Sequence, residues 1–302
     1  MLVHVVVPTL NAAADWRDFA PPLLASLPPE QVLIIDSSST DQTVTLARNA
    51  GFRLHIIQPS EFNHGATRQL AAELLPDADI LIYLTQDAVL TSPASIPNLL
   101  RPFADPTVAA AYGRQLPRIG AGAIESHARN FNYPAQSDIR GFDSRKHLGF
   151  KAIFLSNSFA AYRRSALMAV GGFPKHVIFG EDTVTAAHLL MTGSKIAYVA
   201  DASVRHSHPY TWTQEFKRYF DIGVLHTRER WLKESFGGPG GEGKRFLISE
   251  ISYLRREDPL RIPSALFRTG LKLLGYKLGS SERNLSLAVK RRLSMHRRFW
   301  VE

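Results

Sequence analysis

Ile80-Leu81-Ile82-Tyr83-Leu84-Thr85-Gln86-Asp87-Ala88 is an apolar run of strand length that stops at a single carboxylate. Five apolar residues without a polar interruption read as a strand buried on both faces, the pattern of a parallel sheet. In open α/β sheets ligands bind beyond the carboxyl ends of the strands, so Asp87 stands where a ligand or metal would be met. Taken alone, an Asp after a strand reads as a helix or turn cap. The decision falls to the residues around it.

Upstream, Leu2 to Val7 is a second apolar, β-branched run, broken only by His4 and ended by Pro8-Thr9-Leu10-Asn11. Gln31 to Ile35 reads as a further strand, ending at Asp36, and Phe52 to Ile57 as another. Between them fall a short helix over Phe19 to Leu27, interrupted by Pro21 and Pro22, and a helix over Gln42 to Asn49 that starts after Ser37-Ser38-Ser39-Thr40-Asp41 and stops at Gly51. A third helix opens in Phe62-Asn63-His64-Gly65-Ala66-Thr67-Arg68 and runs to Leu75. Short strands alternating with helices predict an α/β fold with a doubly wound, mostly parallel sheet. Three strand ends carry polar groups on one edge, Asn11, Asp36 and Asp87, which suits a nucleotide. Asp36 can accept from base or ribose donors, Gly65 lets backbone approach a ligand, and Arg68 offers a planar fork for phosphate or a base edge. Each also has a plain structural reading, as cap, turn glycine or solvated helix residue. Neither GxGxxG nor a Walker sequence is present, which argues against a dinucleotide dehydrogenase or a P-loop NTPase.

Downstream, Ser92 to Phe103 reads as a helix, Val108 to Tyr112 as a strand and Gly120 to Tyr133 as a helix. Gln136 to His147 is polar and loop-like, a candidate mobile segment. Ile153 to Leu155 reads as a strand leading to Ser156-Asn157-Ser158, and Arg163 to Val170 as a helix. Gly180-Glu181-Asp182 heads a helix over Thr183 to Met191. Acidic residues in a first turn are ordinary helix-dipole partners, but adjacency lets one pair while the other points into a cleft. Lys195 to Val199 is a strand, and Ala202 to Arg205 continues toward His206 and His208. On extended backbone i and i+2 share a face, so both imidazoles can line one pocket, as packed residues or as metal ligands. Thr211 to Phe236 reads as one long helix carrying Trp212, and Gly237 to Gly243 as a linker.

At 302 residues and 45% apolar, the chain can bury a large core. The absence of cysteine excludes disulfides, a thiol nucleophile and a zinc–thiolate site, and fits a cytoplasmic enzyme. Met1 to Thr9 lacks the flank and cleavage site of a signal peptide, and no apolar run approaches the ~20 residues that span a bilayer. The expected location is the cytoplasm, with peripheral attachment to the inner membrane. From residue 217 onward there are 19 Lys/Arg against 9 Asp/Glu, and before it 17 against 18, so the excess charge lies in the tail. Lys244 to Arg256, Pro263 to Leu278 and Arg283 to Phe299 read as basic amphipathic helices. From Leu285 to Trp300, helical spacing puts Leu285, Val289, Leu293 and Trp300 on one side and Lys290, Arg291, Arg297 and Arg298 on the other. That pattern serves docking on an anionic membrane surface or packing against the rest of the chain. A nucleic-acid partner would leave the acidic cleft residues unexplained.

Taken together, Val-Pro-Thr-Leu-Asn (7–11), Asp-Ser-Ser-Ser-Thr-Asp (36–41), Phe-Asn-His-Gly-Ala-Thr-Arg (62–68), Thr-Gln-Asp-Ala (85–88), Ser-Asn-Ser-Phe (156–159), Gly-Glu-Asp (180–182) and Arg-His-Ser-His (205–208) form an ordered set. On these the chain, over roughly Leu2 to Arg230, resembles the inverting, family 2 glycosyltransferases of the GT-A fold. Within them it is similar to bacterial rhamnosyltransferases of surface polysaccharide (O-antigen, lipopolysaccharide) synthesis. The resemblance implies that Thr9, Asp36 and Arg68 hold the donor nucleotide, that Asp87 stands at the metal-binding carboxylate and that Asp182 is the general base. Around these, Pro8, Asn11, Ser38, Gly65, Gln86 and Asp87 are expected to join the donor site, Glu181 to stand beside the base, His206 to join Asp87 as a ligand of Mg²⁺ or Mn²⁺, and Asn157, Trp212 and His208 to contact the acceptor. The donor implied is dTDP-rhamnose and the acceptor a saccharide, lipid-linked in one version. Two departures bear on this: Gln86-Asp87 has one carboxylate where many relatives have Asp-x-Asp, and the Gln-x-x-Arg-Trp of processive synthases is missing, which implies single addition. The expected organisation is a GT-A domain over 1–236, with a nucleotide-binding half (1–88) and an acceptor half (89–236), followed by a basic helical region over 244–302. The competing readings are a family 2 transferase of another nucleotide sugar and a non-catalytic nucleotide-sugar or polysaccharide binder. A nucleotidyltransferase would want a Gly-rich, Arg-bearing loop where Pro8-Thr9-Leu10-Asn11 stands.

Overall fold

The computed structural model describes residues 1–238 and 241–300. Its first part alternates β1 (Val3–Thr9), α1 (Trp16–Leu24), β2 (Val32–Asp36), α2 (Thr43–Asn49), β3 (Arg53–Ile56), α3 (His64–Leu74) and β4 (Ile80–Leu84). Then come β5 (Val89–Leu90), α4 (Ser95–Leu100), β6 (Val108–Leu116), α5 (Ala123–Asn132), β7 (Asp138–Arg140), α6 (Arg145–Leu148), β8 (Phe159–Arg163) and α7 (Arg164–Ala169). The remainder is α8 (Glu181–Met191), β9 (Lys195–Arg205), α9 (Trp212–Arg228), α10 (Arg230–Phe236), α11 (Glu242–Glu257), α12 (Ile262–Ser280) and α13 (Leu287–Leu293).

All the strands join one sheet in the order β3-β2-β1-β4-β8-β6-β9-β5, with β7 paired to β9. β3, β2, β1 and β4 run parallel, β8 is antiparallel to both neighbours, and β6 and β9 are again parallel. The apolar runs divide by parity, as a two-sided strand must. Val5, Val7, Ile80, Ile82 and Leu84 face a core with Trp16, Phe19 and Leu99. Val6, Leu81 and Tyr83 face the other, with Tyr162, Phe173 and Phe220.

The reversed strand decides where the site lies. Because β8 is antiparallel to β4, with Phe159 opposite Leu84, the loop before β8 meets the carboxyl end of β4. β6 and β9, running against β8, send their carboxyl ends to that same edge.

Four sequence expectations change here. The strand is Phe159–Arg163, not Ile153–Leu155, which lies at and beyond the end of a 3₁₀ turn; Ala160 and Ala161 are weak strand formers that tertiary packing overrides. The segment 136–147 contains β7, and Arg140 within it is buried, its Nη1 donating to the Lys151 and Ala152 carbonyls at 2.9 and 3.3 Å. The long helix from Thr211 breaks at Glu229 (φ −100°, ψ 55°). The Arg283–Phe299 helix shrinks to α13, because the Met295 and His296 N–H groups donate to the Asp221 carboxylate at 2.9 and 3.4 Å and leave the helical path. Of the expected linker, Pro239 and Gly240 lie outside the described residues.

Candidate active site

Thr9 and Asp36 are register partners at the ends of β1 and β2, and the Thr9 hydroxyl donates to Asp36 Oδ2 at 2.7 Å. The Ser39 N–H donates to Oδ1 at 2.7 Å and its hydroxyl to Oδ2 at 2.6 Å, so both oxygens of this fully buried carboxylate hold the turn that follows β2. Asn11 (φ 50°) and Ser38 (φ 58°) take the left-handed backbone that non-glycine residues rarely adopt. The turns secure them. Asn11 N–H donates to Ser39 Oγ at 2.8 Å, its Oδ1 accepts from Thr40 N–H at 2.9 Å, and Ser38 Oγ donates to the Ile57 carbonyl at 2.8 Å. The Gln86 amide accepts from Leu10 N–H at 2.8 Å and donates to the Leu10 carbonyl at 3.2 Å, tying the ends of β1 and β4 together beyond Pro8.

Two donor-side residues find partners inside the protein. A Cβ on Gly65 would lie 1.8 Å from the Pro174 carbonyl oxygen, so the glycine serves close packing of α3 rather than the approach of a ligand. Arg68, expected as an open fork, is buried, with Nη1 3.0 Å from Glu181 Oε1 and donating to the His64 carbonyl at 3.0 Å.

β5 pairs with β9 with Val89 opposite Arg205, which brings the residues just outside that pair together. Asp87 Oδ1 is 3.4 Å from His206 Nε2, and Oδ2 is 3.5 Å from His208 Nε2. The three side chains offer ligand atoms within 4.8 Å of one another. Gln115 orients the first imidazole. Its Oε1 accepts from Arg129 Nη1 at 2.7 Å and lies 2.9 Å from His206 Nδ1, while its Nε2 donates to Ser156 Oγ at 2.8 Å. Since guanidinium only donates, that oxygen is the acceptor for Nδ1–H, and a neutral His206 turns the lone pair of Nε2 toward Asp87.

Burial pushes His206 down from its ordinary value and His208 to about 4, the latter helped by His206, so near neutral pH both rings are uncharged nitrogen donors. Burial alone would raise Asp87, but in the acid range where the carboxyl titrates the rings are protonated, and hydrogen bonding and charge from His206, then charge from His208, outweigh burial and hold it well below the usual range. A lone pair facing a carboxylate needs a cation between them or a second ring proton, and burial opposes the second. The donor set therefore fits a divalent cation with mixed nitrogen and oxygen ligands. Arg118, which sequence reading missed, stands beside it: Nη2 donates to the Asp87 carbonyl at 3.0 Å and lies 3.7 Å from Oδ2. No spacing marks Arg118 or Gln115 in the sequence, since both follow from the pairing of β6 with β9.

Gly180 in the left-handed conformation (φ 75°) turns the chain into α8, whose first residues are Glu181 and Asp182. Glu181 is consumed. Its Oε1 takes the Arg68 pair and a 2.9 Å bond from Asn157 Nδ2, and although burial opposes ionisation, Arg68 and then His64 hold it below its ordinary value. Asp182 keeps a partly open face, accepting from the Asn157 and Thr183 N–H groups at 3.2 and 2.7 Å. Dense surroundings, then the charge of Glu181, push it up to about 6. Asn157 is buried and braced by the Tyr162 hydroxyl, which donates to its Oδ1 at 2.7 Å.

A cavity of about 470 Å³ begins at His208 and Tyr210 and runs between α5, α9, α11 and α12. Asn157 and Trp212 are not among its lining residues; the half-exposed Trp212 packs edge-on against Phe267, ring centroids 4.9 Å apart.

Among solved structures the fold is similar to the mannosyltransferase PcManGT from Pyrobaculum calidifontis, solved with GDP-Man and Mn²⁺, at a TM-score of 0.57 and 20% identity over 99% of this chain and 84% of that one. It is also similar to S. aureus TarS 1-349, at a TM-score of 0.53 and 14% identity over 94% and 91%. By sequence the chain is 47% identical to the O-antigen chain rhamnosyltransferase WbaN of Salmonella anatum, over 98% of this chain and 95% of the relative. It is 45% identical to the O-antigen chain rhamnosyltransferase RfbN of Salmonella typhimurium, over 99% and 96%. The family model described as "Glycosyl transferase family 2" matches residues 4–171, which with these near-full-length relatives establishes that the chain belongs to glycosyl transferase family 2.

Proposed function

We propose that the protein transfers rhamnose from dTDP-rhamnose to a hydroxyl of an O-antigen saccharide, one residue per encounter and with inversion. The observation that carries the sugar is the near-full-length likeness to two O-antigen chain rhamnosyltransferases. In this reading Asp182 accepts the proton of the acceptor hydroxyl as its oxygen attacks the anomeric carbon, while the bond to the diphosphate oxygen breaks on the opposite face. Glu181, occupied by Arg68 and Asn157, holds the helix start and keeps Asp182 basic. Asp87, His206 and His208 would hold Mg²⁺ or Mn²⁺, which when bound supplies positive charge to the leaving diphosphate. Arg118 adds a second positive group beside it. Thr9, Asn11, Asp36, Ser38 and Gln86 shape the nucleotide cleft at the strand ends.

A membrane-side acceptor belongs to the same reading, through a different helix from the one the sequence points to. Leu285, Leu287, Leu293, Phe299 and Trp300 pack on the core. On α12, by contrast, Leu266, Phe267, Leu273 and Leu274 are exposed along one side, between the exposed cations Arg261 and Lys277. An apolar stripe among basic residues matches an anionic lipid surface. No helix of the described residues is long and apolar enough to cross a membrane.

The test of the transfer reaction is release of nucleoside diphosphate from a panel of nucleotide sugars, with and without Mn²⁺. A clear preference for a UDP- or GDP-sugar over dTDP-rhamnose would reject the donor.

A further inference from the structure

The cavity that starts at His208 does not end at the transfer site. Its distal wall is built by α11 and α12, and at its floor sits Glu250. This side chain is 1% exposed, and its Oε2 has no hydrogen-bond partner within the protein. The charged groups acting on it are Lys272 and Arg268 from α12 and Glu215 from α9. Those cations are spoken for: Arg268 Nη1 is 3.0 Å and Lys272 Nζ 3.7 Å from the Glu215 carboxylate. Lys272 also lies over the rings of Phe246 and Tyr219, at 5.1 and 5.7 Å, fixing two aromatic faces beside Glu250.

A buried acceptor without a donor is rare and costly in a finished fold, and a cavity-lining one is satisfied when a ligand brings the donor. The lining narrows the ligand's chemistry. Carboxylates and cations are mixed along the cavity, but at its distal end Arg268 and Lys272 are already held by Glu215, so the carboxylate of Glu250 disfavours a phosphate or other anion there. Aromatic faces for C–H surfaces, with carboxylate and guanidinium groups between them for hydroxyls, suit a neutral sugar ring.

We propose that the distal end of this cavity is a saccharide subsite in which Glu250 receives a hydroxyl of the sugar unit preceding the one that is attacked. The inference rests on the transfer reading given above for what enters at His208. It makes the helices after residue 241 part of acceptor recognition, and Glu250 a specificity determinant that touches no reacting atom.

The test is titration of the full chain, loaded with dTDP and Mn²⁺, with octyl glycosides of glucose, galactose, mannose and rhamnose, followed by saturation-transfer NMR. At least one glycoside should bind saturably. Glu250→Gln, which keeps shape and removes charge, and Tyr219→Leu on the facing wall should each weaken that binding by about tenfold or more, the scale of one buried contact to a charged group. Both should leave dTDP affinity and melting temperature unchanged. Binding of no glycoside, or equal binding by wild type and both variants, overturns the subsite. Asp182→Asn separates the two readings. It should lose transfer and bind the glycoside normally, so near-normal transfer by this variant with glycoside binding intact counts against the base and not against Glu250.

Discussion

Asp182 and Glu181 are chemically alike and adjacent, yet their surroundings push their protonation in opposite directions, which is how a site separates a structural carboxylate from a base. Replacing Asp182 by Asn should preserve donor affinity and lower turnover by a factor on the order of 10²–10⁴, measured as nucleoside diphosphate release in the presence of acceptor. Near-normal turnover would remove the role from Asp182. The pH profile carries a sign. A base works ionised, and Asp182 is raised to about 6, so the rate should climb as pH rises through that value and level off above it. A flat profile from pH 5 to 8 contradicts the assignment. Gln115 works through His206, whose Nδ1–H it accepts. Gln115→Leu should weaken Mn²⁺ binding about 10–100-fold in calorimetry, as loss of a partner behind a metal-ligating imidazole does.

Among the elements, α9 and α12 approach each other closely through their backbones. A Cβ on Gly279 would fall 1.9 Å from the Phe220 carbonyl oxygen, and one on Gly275 2.4 Å from that of Phe216. The helices touch through their backbones, so Gly279→Ala forces them apart. It should cost about 1–3 kcal/mol, the range for overpacking a core, seen as a lowered melting temperature. If the variant melts like the wild type, the crossing is looser than described. This contact also sets the wall of the cavity, so the same substitution should reduce acceptor use more than donor binding. Gly65 in α3 is a parallel case, facing the Pro174 carbonyl rather than a ligand.

For the whole molecule, the charge excess after residue 217 and the exposed side of α12 make a single prediction. Sedimentation with anionic liposomes should be strong at low salt and weaken as salt rises, since each basic residue near the surface contributes about 1 kcal/mol and is screened. Leu273→Glu with Leu274→Glu should abolish it, while neutral liposomes should bind little. Equal binding by wild type and double variant would leave α12 without this role. Truncation near residue 236 is a poor control, because it strips α12 from α9 and Trp300 from the core.

The sequence alone determined the alternating strands up to Ile80–Leu84, the strand-end positions of Asn11, Asp36 and Asp87, and the pairing of His206 with His208, because each is encoded in local periodicity or in spacings of two. It also yielded the ordered motifs by which the family is recognised. It misplaced β8, whose alanines carry no strand signal, and joined α13 to the residues after it, because the Asp221 carboxylate that draws the chain out of the helix comes from a distant helix. Only the tertiary structure decided that Arg68 serves Glu181, that Gly65 meets Pro174, that Gln115 orients His206, and that α11 and α12 close a cavity over Glu250. Arg68 and Glu181 are 113 residues apart, a separation no local pattern can reach, and the active-site residues converge because the antiparallel β8 turns the ends of β4, β6 and β9 to one edge.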